Sequence, residues 1–154
     1  MLKTNIEFKT GRQFIARLLP GKDLIETLKD FCKEKNIKAA YIPMLIGAVE
    51  AIDLIHPDPR PIAAKDFKPV SKKYQGPFEL TAQGTIAMQD DDYSIHLHAV
   101  VGGQEHKLVA MGHFVSGKIT ILTEVVIIEV ADCEMLRQQD NNVFCKPVLF
   151  FKPK

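Results

Sequence analysis

Apolar positions recur along this chain with two different periods. After Pro20-Gly21, the residues Leu24, Ile25, Leu28, Phe31 and Cys32 fall on one side of a helical wheel. Asp30, Lys33, Glu34 and Lys35 fall on the other, the pattern of an amphipathic helix laid on a core. Asp23 with Glu26 three positions on is a relative of the capping box, and Asn36 marks the stop. Elsewhere the period is close to two, or the run is short and apolar, and both read as strand. Residues 5–8 and 13–19 are predicted as a hairpin about Gly11, and residues 39–46 and 48–55 as apolar strands parted by a bulge or turn at Gly47. From Phe78 the chain reads as a meander of strands over 78–88, 93–101, 107–115 and 119–130. Turn signals at 90–92, 102–105 and 116–118 separate them. Residues 132–139 are predicted as a short helix and 148–151 as a last edge strand. One main helix with many sequential strands predicts an α+β fold with a mostly antiparallel β-sheet.

The segment 57–74 breaks this pattern. It holds Pro57, Pro59, Pro61 and Pro69 together with Lys65, Lys68, Lys72 and Lys73. Proline removes a ladder donor, so a surface loop is expected. Composition adds exclusions. At 154 residues, with 46% hydrophobic and 25% charged residues, the chain is sized and composed for one globular domain with a core of its own. The net charge of +1 is far from that of a strongly basic nucleic-acid binder. It conceals an asymmetry: residues 1–75 carry +5 and residues 76–154 carry −4. No apolar run is long enough to span a bilayer, and the first residues lack a signal-peptide core. Three cysteines, Cys32, Cys133 and Cys145, are too few and too widely spaced for a disulfide scaffold or a cysteine zinc site. A cytoplasmic setting without membrane partners is the expectation.

Candidate chemistry concentrates on histidine. His96-Leu97-His98 lies in a strand-like run, where residues i and i+2 point to one face about 7 Å apart. His113 lies on the next predicted strand, and hairpin register decides whether it joins them. A four-residue loop pairing Gly102 with Lys107 sets His113 opposite His96; a two-residue loop at Gly103-Gln104 leaves it diagonally near. A three-residue loop sends it to the other face. Three histidines suit zinc or another divalent ion, and three protein ligands leave a position open for water or a substrate. The alternative is a pair of half-buried strand histidines bonded to backbone. His56 and His106 read as exposed polar residues. Glu79 and Glu124 stand where apolar residues are expected, and each is a candidate to orient a metal-bound histidine or to act as general base. Their alternatives are an ion pair, with Arg12 or Arg17, or exposure on a solvated face.

Six fragments in order resemble the plant and prokaryote conserved (PPC) domain over residues 14–129. They are Arg17-Leu18-Leu19-Pro20-Gly21-Lys22-Asp23-Leu24, Ile46-Gly47-Ala48-Val49, and Gly76-Pro77-Phe78-Glu79-Leu80 with Gly84. His96-Leu97-His98-Ala99, Gly112-His113-Phe114 and Thr123-Glu124-Val125-Val126 follow. The resemblance implies a single PPC-like domain across residues 1–154, an antiparallel α+β fold and a homotrimer. It also implies, as in metal-containing members, a metal held by residues matching His96, His98 and His113. In plant members the domain follows an AT-hook and is associated with DNA binding and transcription regulation. No Arg-Gly-Arg-Pro core occurs in these residues, so the element expected to enter a minor groove is missing here. The expectation is a trimeric domain binding zinc or another divalent metal, with metal-assisted small-molecule chemistry. A DNA-binding or regulatory module and a purely structural trimer are the alternatives. The largely apolar 41–49 run, which one helix leaves partly uncovered, offers the trimer some independent support.

Overall fold

Asp23 anchors the helix at two levels in the computed structural model, which describes residues 1–57, 69–105, 107–141 and 143–154. Its Oδ1 accepts from the backbone N–H groups of Ile25 (2.9 Å) and Glu26 (3.2 Å), capping helix α1 (Leu24–Lys35). Its Oδ2 accepts from the Gly117 N–H at 2.9 Å, tying the helix start to the sheet. The backbone adds Gly21 N–H to the Ile119 carbonyl at 2.9 Å and Ile119 N–H to the Lys22 carbonyl at 3.0 Å. Asn36 ends the helix in the left-handed conformation (φ 52°), as its position predicts. Leu24, Leu28 and Cys32 are fully buried, with Ile25 and Phe31 packed beside them.

Among the described residues seven strands form one sheet: β1 (Thr10–Leu18), β2 (Ala40–His56), β3 (Val70–Gln89), β4 (Asp92–Gly103), β5 (Leu108–Val130), β6 (Cys133–Asp140) and β7 (Val143–Pro153). Their order is β1-β5-β2-β3-β6-β7, and β4 pairs with both β3 and β5. Pairings β2–β3, β3–β4, β4–β5 and β5–β2 are all antiparallel, so these four strands close on one another. The apolar faces enclosed this way, with α1 against them, make the main core, which includes Leu45, Val49, Leu54, Leu97, Phe114 and Ile127. A smaller cluster of Ala39, Ala87, Val130, Cys133 and Met135 lies where β6 and β7 join the sheet. The α+β architecture is therefore the one expected.

Several local expectations are corrected. Residues 5–8 form no strand; Gly11 lies inside β1, whose partner is β5. Ile6 instead packs on the smaller cluster, and Phe8 meets Tyr41 edge-on at 5.7 Å. Gly47 does not divide β2. A Cβ there would lie 2.5 Å from Thr123 Oγ1 and 2.6 Å from the Leu122 carbonyl, so the glycine permits close approach of β2 to β5. Residues 116–118 likewise bend one continuous β5, with register shifts against β2. The helix expected over 132–139 is strand β6: Cys133, Met135 and Arg137 alternate inward, and β7 supplies the hydrogen-bond partner that outweighs helix propensity. Strand β7 extends well beyond the predicted 148–151. The expected loop after Pro57 ends by Val70, because Val70–Tyr74 pair with Ile52–His56 in the ladder. Its Pro59, Pro61, Lys65 and Lys68 lie outside the described residues. The apolar 41–49 run is largely covered by its own chain: Ile42, Leu45, Ala48 and Val49 are buried.

Arg12 grips Glu129 through two hydrogen bonds, Nε to Oε2 at 2.8 Å and Nη2 to Oε1 at 2.9 Å, and Nη2 also reaches the Lys35 carbonyl at 3.0 Å. This bidentate pair joins β1, β5 and the end of α1, and the Arg12 hydrogen bonds hold the Glu129 carboxyl below its ordinary range.

Two outcomes are expected. Asp23→Ala removes a cap and strands the Gly117 N–H, so urea denaturation should show a loss of about 2 kcal/mol. Because the Glu129 pKa is lowered by folding, its stabilisation is present above the ordinary carboxylate value and disappears as pH falls through the folded value. Glu129→Gln should therefore be less stable than the parent at pH 7 and converge with it under acid, checked by thermal melts across pH.

Candidate metal centre

Strand alternation sorts β4 and β5 into two faces. Leu97, Ala99 and Val101 point into the core with Ala110 and Phe114. His96, His98 and Val100 therefore share the outer face with Val109, Met111 and His113. The β4–β5 turn fixes the register by pairing Gly103 with Leu108 and His98 with His113. This is a four-residue connection displaced by one position from the expected Gly102–Lys107 pairing. It keeps the same parity, so the three histidines converge with His98 rather than His96 opposite His113. Ring centroids are 5.1 Å apart for His96–His98, 4.7 Å for His96–His113 and 5.7 Å for His98–His113. One nitrogen from each ring lies within 4.8 Å of the others.

That donor set fits a tetrahedral divalent ion. Nitrogens 2.0–2.1 Å from zinc sit about 3.4 Å from one another, so small ring rotations close the triangle. His96 and His113 are half-buried and His98 is exposed, leaving one side of the cluster accessible. On β3, Gln83 stands opposite His98 and Thr85 opposite His96. The approach of β3 to β4 at this level depends on Gly84: a Cβ there would drive into the His96 carbonyl and lie 2.8 Å from a Leu97 methyl.

The two acidic candidates are not part of this cluster. Glu79 is exposed and faces Gly102, four positions along β3 from the residue opposite His98, or about 13 Å. Glu124 is exposed near the other end of β5, opposite Arg17 and Ile46. Neither is buried as an acid among apolar neighbours: each projects from the outward face, and the alternation around it keeps the apolar residues inside. Arg12, one expected partner, is taken by Glu129. Asp90–Asp91 form the β3–β4 turn as expected, and Asp92 is held to Lys29 at 2.9 Å, which lowers its carboxyl below the usual range. His56 is half-buried, not fully exposed, and its Nε2 lies 3.1 Å from the Tyr74 hydroxyl. Burial pushes the Cys32 thiol up to about 12 and raises Cys133, as befits core side chains rather than ligands. His106 and the side chain of Cys145 lie outside what is described.

A cavity of about 600 Å³ opens beside the cluster, lined by His96, His113, Thr85, Ile95 and the β6–β7 residues Arg137, Val148 and Leu149. Arg137 is only 9% exposed and its Nη2 donates to Thr85 Oγ1 at 2.8 Å. The predicted helix over 132–139 concealed this residue. Its signal was a charge on the inward side of the Cys133, Met135, Arg137 alternation.

Residues 5–131 match the family model of the Plants and Prokaryotes Conserved (PCC) domain, and the chain belongs to that family. A metal-containing protein from Archaeoglobus fulgidus has the same fold, with a TM-score of 0.80 and 28% identity over 94% of this chain and 97% of its own. A plant- and prokaryote-conserved protein from Pyrococcus horikoshii gives 0.77 at 24% identity, over 92% of this chain and 94% of its own. A candidate DNA-binding protein from Ralstonia eutropha gives 0.71 at 22% identity, over 88% of each chain. The last two show the fold alone. No curated protein matches the sequence significantly.

Gly84→Ala should separate β3 from β4 where His96 is held. A stability loss of about 1–3 kcal/mol is expected by denaturant titration, with the His96 ring resonances displaced most in NMR spectra.

Proposed function

We propose that this chain is a PPC-type domain across residues 1–154 that binds one divalent metal, zinc by preference, through His96, His98 and His113. The observation that carries the reading is the convergence of three imidazole nitrogens within 4.8 Å on the outer face of β4 and β5. Three neutral nitrogen donors suit a borderline ion such as zinc better than calcium or magnesium, which favour oxygen. Three protein ligands with one accessible side fit a site that works on a ligand rather than a closed structural site. The metal-containing relative at 28% identity supports the same reading. A bound ion would supply Lewis acidity at its remaining coordination position, and the reaction class in keeping with this is metal-assisted hydrolysis or lyase chemistry on a small molecule. The protein's own share is to orient the imidazoles through the β4–β5 register and to enclose the adjoining cavity with β6 and β7.

The same reading includes a homotrimer. Val109 is 78% exposed and Met111 67% exposed, beside Val100 and on the same face as the histidines, and Ile15 and Ile121 are also exposed. Apolar side chains concentrated on strand faces fit burial against further copies. DNA binding has weaker support. It rests on the name of a relative that shows the fold alone and on a basic run partly outside the described residues, and the net charge of +1 speaks against it. Among the described residues no helix is long and apolar enough to cross a membrane.

Metal analysis of untagged protein tests the proposal. About one equivalent of zinc per chain is expected, removable by chelation, with affinity reduced at least roughly 100-fold in His96→Ala. Less than about a tenth of an equivalent, unchanged in that variant, would overturn it. Light scattering on the same sample should give the mass of a trimer.

A further inference from the structure

The guanidinium of Arg137 is enclosed but incompletely satisfied. Nη2 donates to Thr85 Oγ1, whereas Nε is buried with no hydrogen-bond partner. Among the described residues Arg137 is in no ion pair, and no aspartate or glutamate lines the cavity it borders. Arginine stays charged in proteins, and leaving such a charge buried without an anion is costly. The position of this cation is not incidental to the histidines. Its partner Thr85 stands directly opposite His96 across the β3–β4 ladder, and His96, His113, Thr85 and Arg137 border the same space. Ile95, Val148 and Leu149 supply apolar wall to that space.

We propose that Arg137 is the anion-binding residue of the histidine cavity and that its ligand is a small carboxylate with a branched apolar body. The planar guanidinium, with its paired N–H donors, matches the two oxygens of a carboxylate, and the aliphatic wall suits a hydrocarbon substituent. The apolar wall of Ile95, Val148 and Leu149 favours a carboxylate carried on hydrocarbon over inorganic phosphate, which would leave that wall uncovered. The volume of about 600 Å³ lies within the range of small-molecule sites. Arg137 and its neighbours on β6 and β7 lie beyond the family-matched residues 5–131. The C-terminal hairpin thereby sets ligand class while the matched core carries the candidate metal ligands. This inference deepens the metal reading and rests on it for the ligand's second contact. The Arg137 contact itself is independent of any ion.

Isothermal titration of the full chain with isobutyrate, in zinc-loaded and chelator-treated forms, tests it. Binding of isobutyrate is expected, with isobutyramide at least about tenfold weaker. Arg137→Met should lose binding by a similar factor and Arg137→Lys by less, since a point charge replaces the paired donors. The acid–amide comparison on the parent protein needs no variant and stands even if Arg137→Met fails to fold. The inference is overturned by no binding up to about 20 mM isobutyrate, by equal binding of the amide, or by unchanged affinity in a folded Arg137→Met. Binding of inorganic phosphate in place of isobutyrate overturns it as well. Zinc binding without isobutyrate binding sinks this inference alone. Arg137-dependent isobutyrate binding to a chain that takes up no zinc upholds it and sinks the metal reading alone.

Discussion

The β4–β5 register is the constraint on which the site depends. Strand side chains alternate faces, so a one-residue slip of this hairpin would turn His113 into the core and bring Gly112 and Phe114 out. The slip is opposed from both sides at once. Phe114 is buried inside the closed strands, and Gly112 lies against β2, where a Cβ would come 2.8 Å from the Ile55 carbonyl. The packing that stabilises the core thus also aims the histidines, and the site needs no separate framework.

Strand β5 extends this constraint through the molecule. Its 23 residues pair with β4 at one end, β1 at the other, and β2 along most of the length. The bend at Ser116–Lys118 lets it serve both ends, and the Asp23 carboxylate pins that bend to the start of α1. Helix capping, sheet closure and histidine placement are therefore mechanically connected. Arg12 and Glu129 perform the same service at the far end, where β1, β5 and the helix C-terminus meet.

The surroundings of the histidines come from two parts of the sheet. The histidines project from the closed core strands, where backbone position is set by ladders on both sides. Arg137, Val148 and Leu149 come from β6 and β7, which meet the core strands through the parallel pairing at Met88 and Leu136, the Arg137–Thr85 hydrogen bond and the smaller apolar cluster. The candidate metal ligands thus stand on strands held from both sides, and the proposed anion contact stands on a peripheral hairpin.

The helix, its caps, the antiparallel meander and the His96, His98, His113 set were legible in the sequence because each is encoded locally. Period 3.6 marks α1, Asp23 and Asn36 mark its ends, and period two puts His96 and His98 on one face. Even the third histidine of the cluster needed only the parity of a hairpin, which several loop lengths share. The N-terminal hairpin, the divisions at Gly47 and 116–118, and the helix over 132–139 were misread because their outcome lies with distant partners. Gly47 answers to Thr123, Gly117 to Asp23, and the 132–139 segment to β7. The tertiary structure alone decided that Glu79 and Glu124 stand away from the histidines and that Arg137 stands beside them. Sequence determines what each segment can present on its faces. Which faces meet is set by long-range strand pairing, whose hydrogen bonds are made by a backbone that is the same at nearly every residue.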